Sequence, residues 1–178
     1  MAVIVSYQPP RMRIQLSSPA SLFRWLALGL IGVLLSGCAS LPSLFKPDPT
    51  LIEAKVAASM QLNPDARKRA SPVVVRVYEL KSRAQFDATD FITLFERDKE
   101  VLGAELIARD EFVLRPGEVK DIAKQPVPET QFLAVLVGFR DLEKSRSRAV
   151  AAVLPNTTNR WVIKIEALTV SILPTPAK

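Results

Sequence analysis

The sequence predicts a mainly β fold: a two-sheet β-sandwich with one short helical insert, placed behind an apolar leader and a Pro-rich tether. Three observations predict it. From Leu51 onward apolar residues recur with a period of two in several short runs, the pattern of half-buried strands. Clusters of Pro, Gly, Asn and Asp separate those runs as turns do. A single interval, from Ala84 to Asp98, drops the alternation and takes up helical spacing. About seven short strands with one such insert fit a sandwich, and no internal repeat points elsewhere.

The leader comes first. Its apolar run, Trp25 to Leu35, is eleven residues, too short for the roughly 20 that cross a bilayer core. Arg11, Arg13 and Arg24 precede it, and no acidic residue occurs before Asp48. A basic segment followed by an apolar one is the order of a secretory signal. The run closes on Leu35-Ser36-Gly37-Cys38, which resembles the lipobox of bacterial lipoproteins, where the cysteine is acylated and the signal cut before it. Residues 1–37 therefore read as a lipoprotein signal peptide and Cys38 as the lipidation site. Met12 offers an alternative start that shortens the leader to 26 residues.

Residues 38–50 hold the lipidated cysteine and a tether, Ala39 to Thr50, with three prolines and no periodicity. Proline keeps such a segment extended, so its twelve residues reach at most about 40 Å. Residue 39 is Ala rather than Asp, which resembles the outer-membrane sorting signal of enterobacterial lipoproteins and gives an expected location on the periplasmic face of that membrane. The chain carries +6 overall, but past the leader 21 Lys and Arg face 18 acidic residues, a surplus of three. That small excess serves solubility and gives no reason to expect nucleic acid. With its single cysteine given to lipid, the domain has no disulfide and depends on its core.

Residues 51–178 form the expected sandwich. In Leu51–Leu62, Ile52, Ala54, Val56, Ala58, Met60 and Leu62 face one way, and Glu53, Lys55 and Gln61 the other. After the turn 63–72, Val73–Leu80 is β-branched and aromatic, a second strand. The helical insert, around 86–103, follows. Asp87 is placed to cap it with Asp90 three residues on, Phe86 and Phe91 are spaced as a hydrophobic staple, and Gly103 closes it. Phe91, Leu94 and Phe95 share a face. Glu105–Leu114 is a strand, Pro116-Gly117 suit the centre of a type II turn, and 119–126 reads as the return strand. Phe132–Phe139 is apolar on both faces, so its second face needs a cover, for which the insert is the candidate. Strands over 147–154 and 160–172 complete the set. In the last run buried parity switches from Trp161, Ile163 and Ile165 to Leu168, Val170 and Ile172, which predicts a bulge or bend near Ala167.

Catalysis finds little equipment. The chain has no histidine, the commonest general base and metal ligand, so no metal and no cofactor beyond the covalent lipid are expected. Ser43 and Lys46 match S-x-x-K, but they lie in the tether and neither companion motif follows. Asp110 and Glu111 are adjacent on a strand, so their side chains diverge. Asn156-Thr157-Thr158 reads as a polar hairpin loop rather than a glycan acceptor. The chain is expected not to be an enzyme.

Arg67, Lys68 and Arg69 are the densest basic run of the domain, in the loop between the first two strands. Three readings stand side by side: a contact loop for a protein partner, a solvated turn, and a patch for anionic headgroups.

The blocks LNPDARKRASPVVVRVYELKS, FDATDFITLFE, LGAELIARDEFVLRPGE and FLAVLVGFRDLE occur in that order behind the lipobox. Together they resemble the TssJ (SciN/VasD) family of type VI secretion outer-membrane lipoproteins, over essentially the whole mature domain. Two departures are visible: Lys68 stands where that family commonly has glycine, and no aromatic lies near Ser147. The resemblance implies a transthyretin-like sandwich that binds the periplasmic C-terminal domain of TssM and fastens the secretion complex to the outer membrane. It also implies that the first inter-strand loop, Asn63, Pro64, Asp65, Ala66, Arg67, Lys68, Arg69 and Ser71, contributes to that contact. The competing class is a lipoprotein that binds a small ligand or cell-wall glycan in a cleft.

Overall fold

The computed structural model describes residues 47–175; the signal segment, Cys38 and tether residues 39–46 lie outside the described residues. Eight strands make two four-stranded sheets. The first, in the order β4-β1-β7-β8, contains β1 (Leu51–Ala58), β4 (Val119–Lys124), β7 (Thr158–Ile165) and β8 (Val170–Pro174). The second, β3-β2-β5-β6, contains β2 (Val73–Leu80), β3 (Leu106–Leu114), β5 (Phe132–Gly138) and β6 (Arg148–Ala152). Among the described strands β1 and β7 run parallel, from Leu51↔Thr158 to Ala58↔Ile165, and the other strand pairs are antiparallel; a single parallel bridge also joins Arg146 to Thr169.

The period of two explains the packing. Ile52, Ala54 and Val56 of β1 meet Trp161, Ile163 and Ile165 of β7 on the inner face of the first sheet. Val73, Val75 and Val77 of β2 lie opposite, beside Leu133, Val135 and Val137 of β5. β5 is the exception to alternation: Leu133 through Val137 are all fully buried. Its even residues, Ala134 and Leu136, join Tyr78 and Leu80 under the helical insert.

That insert is two helices, α1 (Ala84–Ala88) and α2 (Phe91–Leu102), followed by a 3-10 turn at Gly103–Glu105. Phe86, Leu94 and Leu102 press onto the outer face of β2 and β5, with Tyr78 and Phe86 edge-to-face at 5.7 Å. The expected cover is therefore present. Its cap differs from expectation: Asp90, not Asp87, accepts the Thr93 N–H (2.9 Å), because Thr89 and Asp90 are extended and start a new helix. Asp87 lies within α1 and pairs with Arg83.

Three further features take their form from turns in the chain. β1 ends at Ala58, and the Leu62 N–H turns back to the Ser59 carbonyl (3.3 Å). Met60 is consequently 70% exposed while Leu62 is buried. Of the bulge or bend expected near Ala167, the structure has a bend, tight enough to make a hairpin. Glu166 and Thr169 close it (2.9 Å), and Ile165 faces Val170 across the ladder, so both point inward although one number is odd and the other even. The turn after β3 forms as read, with Gly117 at φ +75° and Glu118 N–H on the Arg115 carbonyl (3.0 Å). It delivers β4 to β1 in the facing sheet, not back along β3, since Ile122 and Leu114 line one core from opposite sides.

A buried ion cluster fastens α2 to the second sheet. Asp98 is 4% exposed and follows Arg97, where the helix is kinked (φ −131°, ψ 35°). Its carboxylate accepts from Arg109 (2.8 and 3.0 Å), the Tyr78 hydroxyl (3.0 Å), the Lys99 N–H (2.8 Å) and Arg76 (3.4 Å). Arg76 also donates to Glu111 (2.6 Å) and the Phe95 carbonyl, and stacks 4.2 Å from the Phe95 ring. Burial works to raise the Asp98 pKa, but the bonds from Arg109 and Tyr78 outweigh it and leave it below the ordinary carboxylate value. A depressed folded pKa adds stability above the unfolded value near 3.9, and that stability is lost as pH falls through the folded one. Asp98→Ala is expected to lower unfolding free energy at neutral pH by about 3 kcal/mol, since it strands two part-buried arginines. It should also flatten the acid limb of stability below about pH 4, as urea titrations across pH will register.

Candidate functional site

Strands that run from one pole of the sandwich to the other place its loops alternately. The chain enters at one pole: the Leu51 N–H donates to the Thr157 carbonyl (3.0 Å) and the Asn156 N–H to the Thr50 hydroxyl (2.9 Å). Eight residues of β1, about 25 Å of strand, then carry it to the other. There the β1–β2 loop meets the β3–β4, β5–β6 and β7–β8 connections, so the basic run lies at the pole opposite to chain entry.

Asn63 holds this pole together. It is 5% exposed with φ +48°, in the left-handed region that asparagine tolerates. Its N–H donates to the Ala167 carbonyl (2.8 Å) and its Oδ1 accepts the Arg140 N–H (2.8 Å). Its Nδ2 donates to the Ser71 hydroxyl (3.0 Å) and the Pro72 carbonyl (3.1 Å), and Ser71 returns a bond to the Asn63 carbonyl (2.7 Å). One buried amide thus joins three connections.

Asp65 orders the loop itself. Its Oδ1 accepts the N–H groups of Arg67 (2.8 Å) and Arg69 (2.9 Å), and its Oδ2 takes the Arg69 guanidinium (Nε 2.8 Å). The backbone bond from Arg69, then the guanidinium, hold its carboxyl below the usual range. The Lys68 N–H donates to the Asp65 carbonyl (2.8 Å) at φ +61°, the left-handed conformation that favours glycine. Of the residues expected to contact a partner, Ala66, Arg67, Lys68 and Arg69 are exposed, Pro64, Asp65 and Ser71 half-buried, and Asn63 buried. Asn63 and Ser71 position the loop; Arg67 and Lys68 present charges that no ion pair among the described residues engages. Arg140 was not singled out in the sequence. Seventy-seven residues separate it from Asn63, and no local pattern signals the contact. Cys38 lies outside the described residues.

Among the described residues no group of three His, Cys, Asp or Glu side chains forms a metal site. A groove of about 500 Å³ runs along the seam between β3 and β4, but its charges are engaged. Lys124 bridges Glu79 (2.7 Å) and Asp110 (2.6 Å), and Lys120 sits 4.8 Å from the Phe112 ring. Burial pulls the Lys124 pKa down, but bonds to Asp110 and Glu79 more than reverse it, so the lysine is charged. Two inward lysines on the edge strand β4 also discourage pairing with another strand.

Lys68→Gly is expected to raise unfolding free energy by up to about 1 kcal/mol by relieving the left-handed lysine, read by denaturant unfolding. Asp65→Ala is expected to accelerate amide hydrogen exchange at Arg67 and Arg69 while changing global stability by less than about 1 kcal/mol.

The model of the family described as "Type VI secretion lipoprotein, VasD, EvfM, TssJ, VC_A0113" matches residues 50–168. The T6SS lipoprotein TssJ1 of Pseudomonas aeruginosa superimposes with a TM-score of 0.71 at 33% identity, covering 73% of this chain and 99% of that one. Serratia marcescens Lip, a membrane-bound component of the type VI secretion system, shares the fold with a TM-score of 0.65 at 23% identity, over 70% of this chain and 98% of its own. A chain of the structure described as the T6SS protein TssM C-terminal domain from EAEC gives a TM-score of 0.59 at 28% identity, over 68% of this chain and 99% of that one. No curated protein matches. Among the described residues no helix is long and apolar enough to cross a membrane. A β-sandwich of this topology, matched by the family model across almost all of its strands, belongs to the type VI secretion lipoprotein family, that of TssJ, SciN and VasD.

Proposed function

We propose that this chain is a docking lipoprotein: acylated at Cys38, held on the periplasmic face of the outer membrane, and bound to the periplasmic C-terminal domain of TssM. It thereby fastens the type VI membrane complex to that membrane and performs no catalysis. The observation that carries this reading is the basic loop itself, ordered by Asp65 and Asn63 and presented at the pole opposite to chain entry. A loop already held in shape loses little entropy on binding. Its placement also weighs against headgroups as its target, because the tether leaves from the other end. The similarity to a chain in the TssM C-terminal domain structure supports the choice of partner.

The anchor suits a mechanical role. Each buried CH₂ contributes about 0.8 kcal/mol, so one acyl chain is reversible while the three of a mature bacterial lipoprotein hold firmly. Cys38→Ser is expected to leave a folded domain that no longer fractionates with membranes; membrane association as in the wild type counts against lipidation.

The partner is tested by capture of a TssM C-terminal domain on the soluble 47–178 fragment. Changing Arg67, Lys68 and Arg69 together to Ala is expected to weaken capture at least about tenfold and to reduce its salt dependence. Undiminished capture by the triple variant refutes the loop assignment, and no capture by the unaltered fragment refutes the partner.

A further inference from the structure

The pole of chain entry carries two large apolar side chains that the core does not use. Leu154, just after β6, is 63% exposed, and Val127, between β4 and β5, is 47% exposed. Their loops adjoin: the Val153 N–H donates to the Gln131 carbonyl (2.8 Å), and the Thr130 N–H closes a turn on the Val127 carbonyl (3.0 Å). The Leu154 loop is tied to the first residues of the domain through Asn159, 6% exposed. Its Oδ1 accepts the Leu154 N–H (2.8 Å), and its Nδ2 donates to the carbonyls of Leu154 (2.9 Å) and Leu51 (3.3 Å). The place where the tether leaves and the place where Leu154 stands are therefore set by one buried side chain.

The chemistry of this corner differs from that of the far pole. Gln125-Pro126-Val127-Pro128 and Leu154-Pro155-Asn156-Thr157 carry no charge; beside them Lys124 is bound to Glu79 and Asp110, and Asp48, Lys81 and Glu129 stand at the margin. The far loops also expose apolar groups, Met60 and Leu142, but there these stand among Arg67, Lys68, Arg69, Arg140 and Arg146. Uncharged, apolar-tipped loops beside the tether fit the interfacial layer of a bilayer.

We propose that this corner is a membrane-contact surface, with Leu154 and Val127 seated in the interface of the same bilayer that holds the Cys38 lipid. The inference rests on the lipid-anchor reading above. Eight residues, 39–46, separate Cys38 from Pro47, at most about 30 Å of chain. A short tether gives the corner a millimolar effective concentration at the surface, so a contact too weak to recruit the domain by itself is populated once the lipid is inserted. Seated there, the sandwich stands with its basic loop turned away from the bilayer.

The test uses the full lipidated chain in phosphatidylethanolamine/phosphatidylglycerol vesicles that carry a spin-labelled quencher lipid. Leu154→Cys and, at the far pole, Lys68→Cys are each labelled with bimane, the acylated Cys38 being closed to the reagent. Both positions are exposed, and a thermal melt checks that each variant folds. The expected result is at least about a twofold loss of emission at 154 and none at 68, the depth an interfacial contact reaches. Equal quenching at both positions, or none at either in protein that floats with the vesicles, overturns the contact surface while leaving the anchor intact. Protein that does not float overturns the anchor, and the contact surface with it.

Discussion

β5 is buried on both faces, and the rest of the architecture follows from that constraint. A strand whose Leu133, Val135 and Val137 point into the sandwich while Ala134 and Leu136 point out cannot belong to an open sheet in water. Each large aliphatic group so buried contributes roughly 1.5–3 kcal/mol, and only if something apolar lies over it. The helical insert supplies that layer through Phe86, Leu94 and Leu102. The Asp98 cluster keeps α2 in place over the sheet, binding it by directed hydrogen bonds where apolar contact alone has no preferred register. The second sheet is thus closed on both sides, and the loops at the poles are left free for other work.

Those poles are built alike and used differently. At each, one buried asparagine gathers backbone groups that no strand can satisfy: Asn159 where the chain enters, Asn63 at the far end. An unsatisfied buried N–H or C=O costs about 1–3 kcal/mol, so these amides are structural necessities before they are anything else. Their consequence is a domain with distinct ends. One end is joined to the tether and carries Leu154 and Val127; the other carries an ordered cationic loop about 25 Å away along β1. That polarity gives a small sandwich two ends of different chemistry.

The charges divide along the same lines. Asp98, Glu79 and Lys124 are buried or half-buried and satisfied internally, where a low dielectric makes pairing obligatory. Arg67 and Lys68 are solvated and contribute little to the fold. Arg69 belongs partly to each group, since its guanidinium holds Asp65.

By itself the sequence determined whatever depends on neighbours in the chain: the alternation of β1 and β7, the turn at Pro116-Gly117, the helical insert and its buried face, and the two-faced β5 that demanded a cover. The basic loop was legible for the same reason, as a run of charge between two strands. Tertiary structure decided what depends on distance. It chose Asp90 over Asp87 as the cap, turned Met60 outward, and made a hairpin of the parity switch at Ala167. It sent β4 to the opposite sheet, and it brought Arg140 and Ala167 to Asn63. Periodicity records which face of a strand is apolar but not which strand lies against it, and hydrogen bonds between residues a hundred positions apart leave no local mark. Hence the elements were written along the chain, while the two poles, and the separation of chain entry from the basic loop, exist only once the sheets have closed.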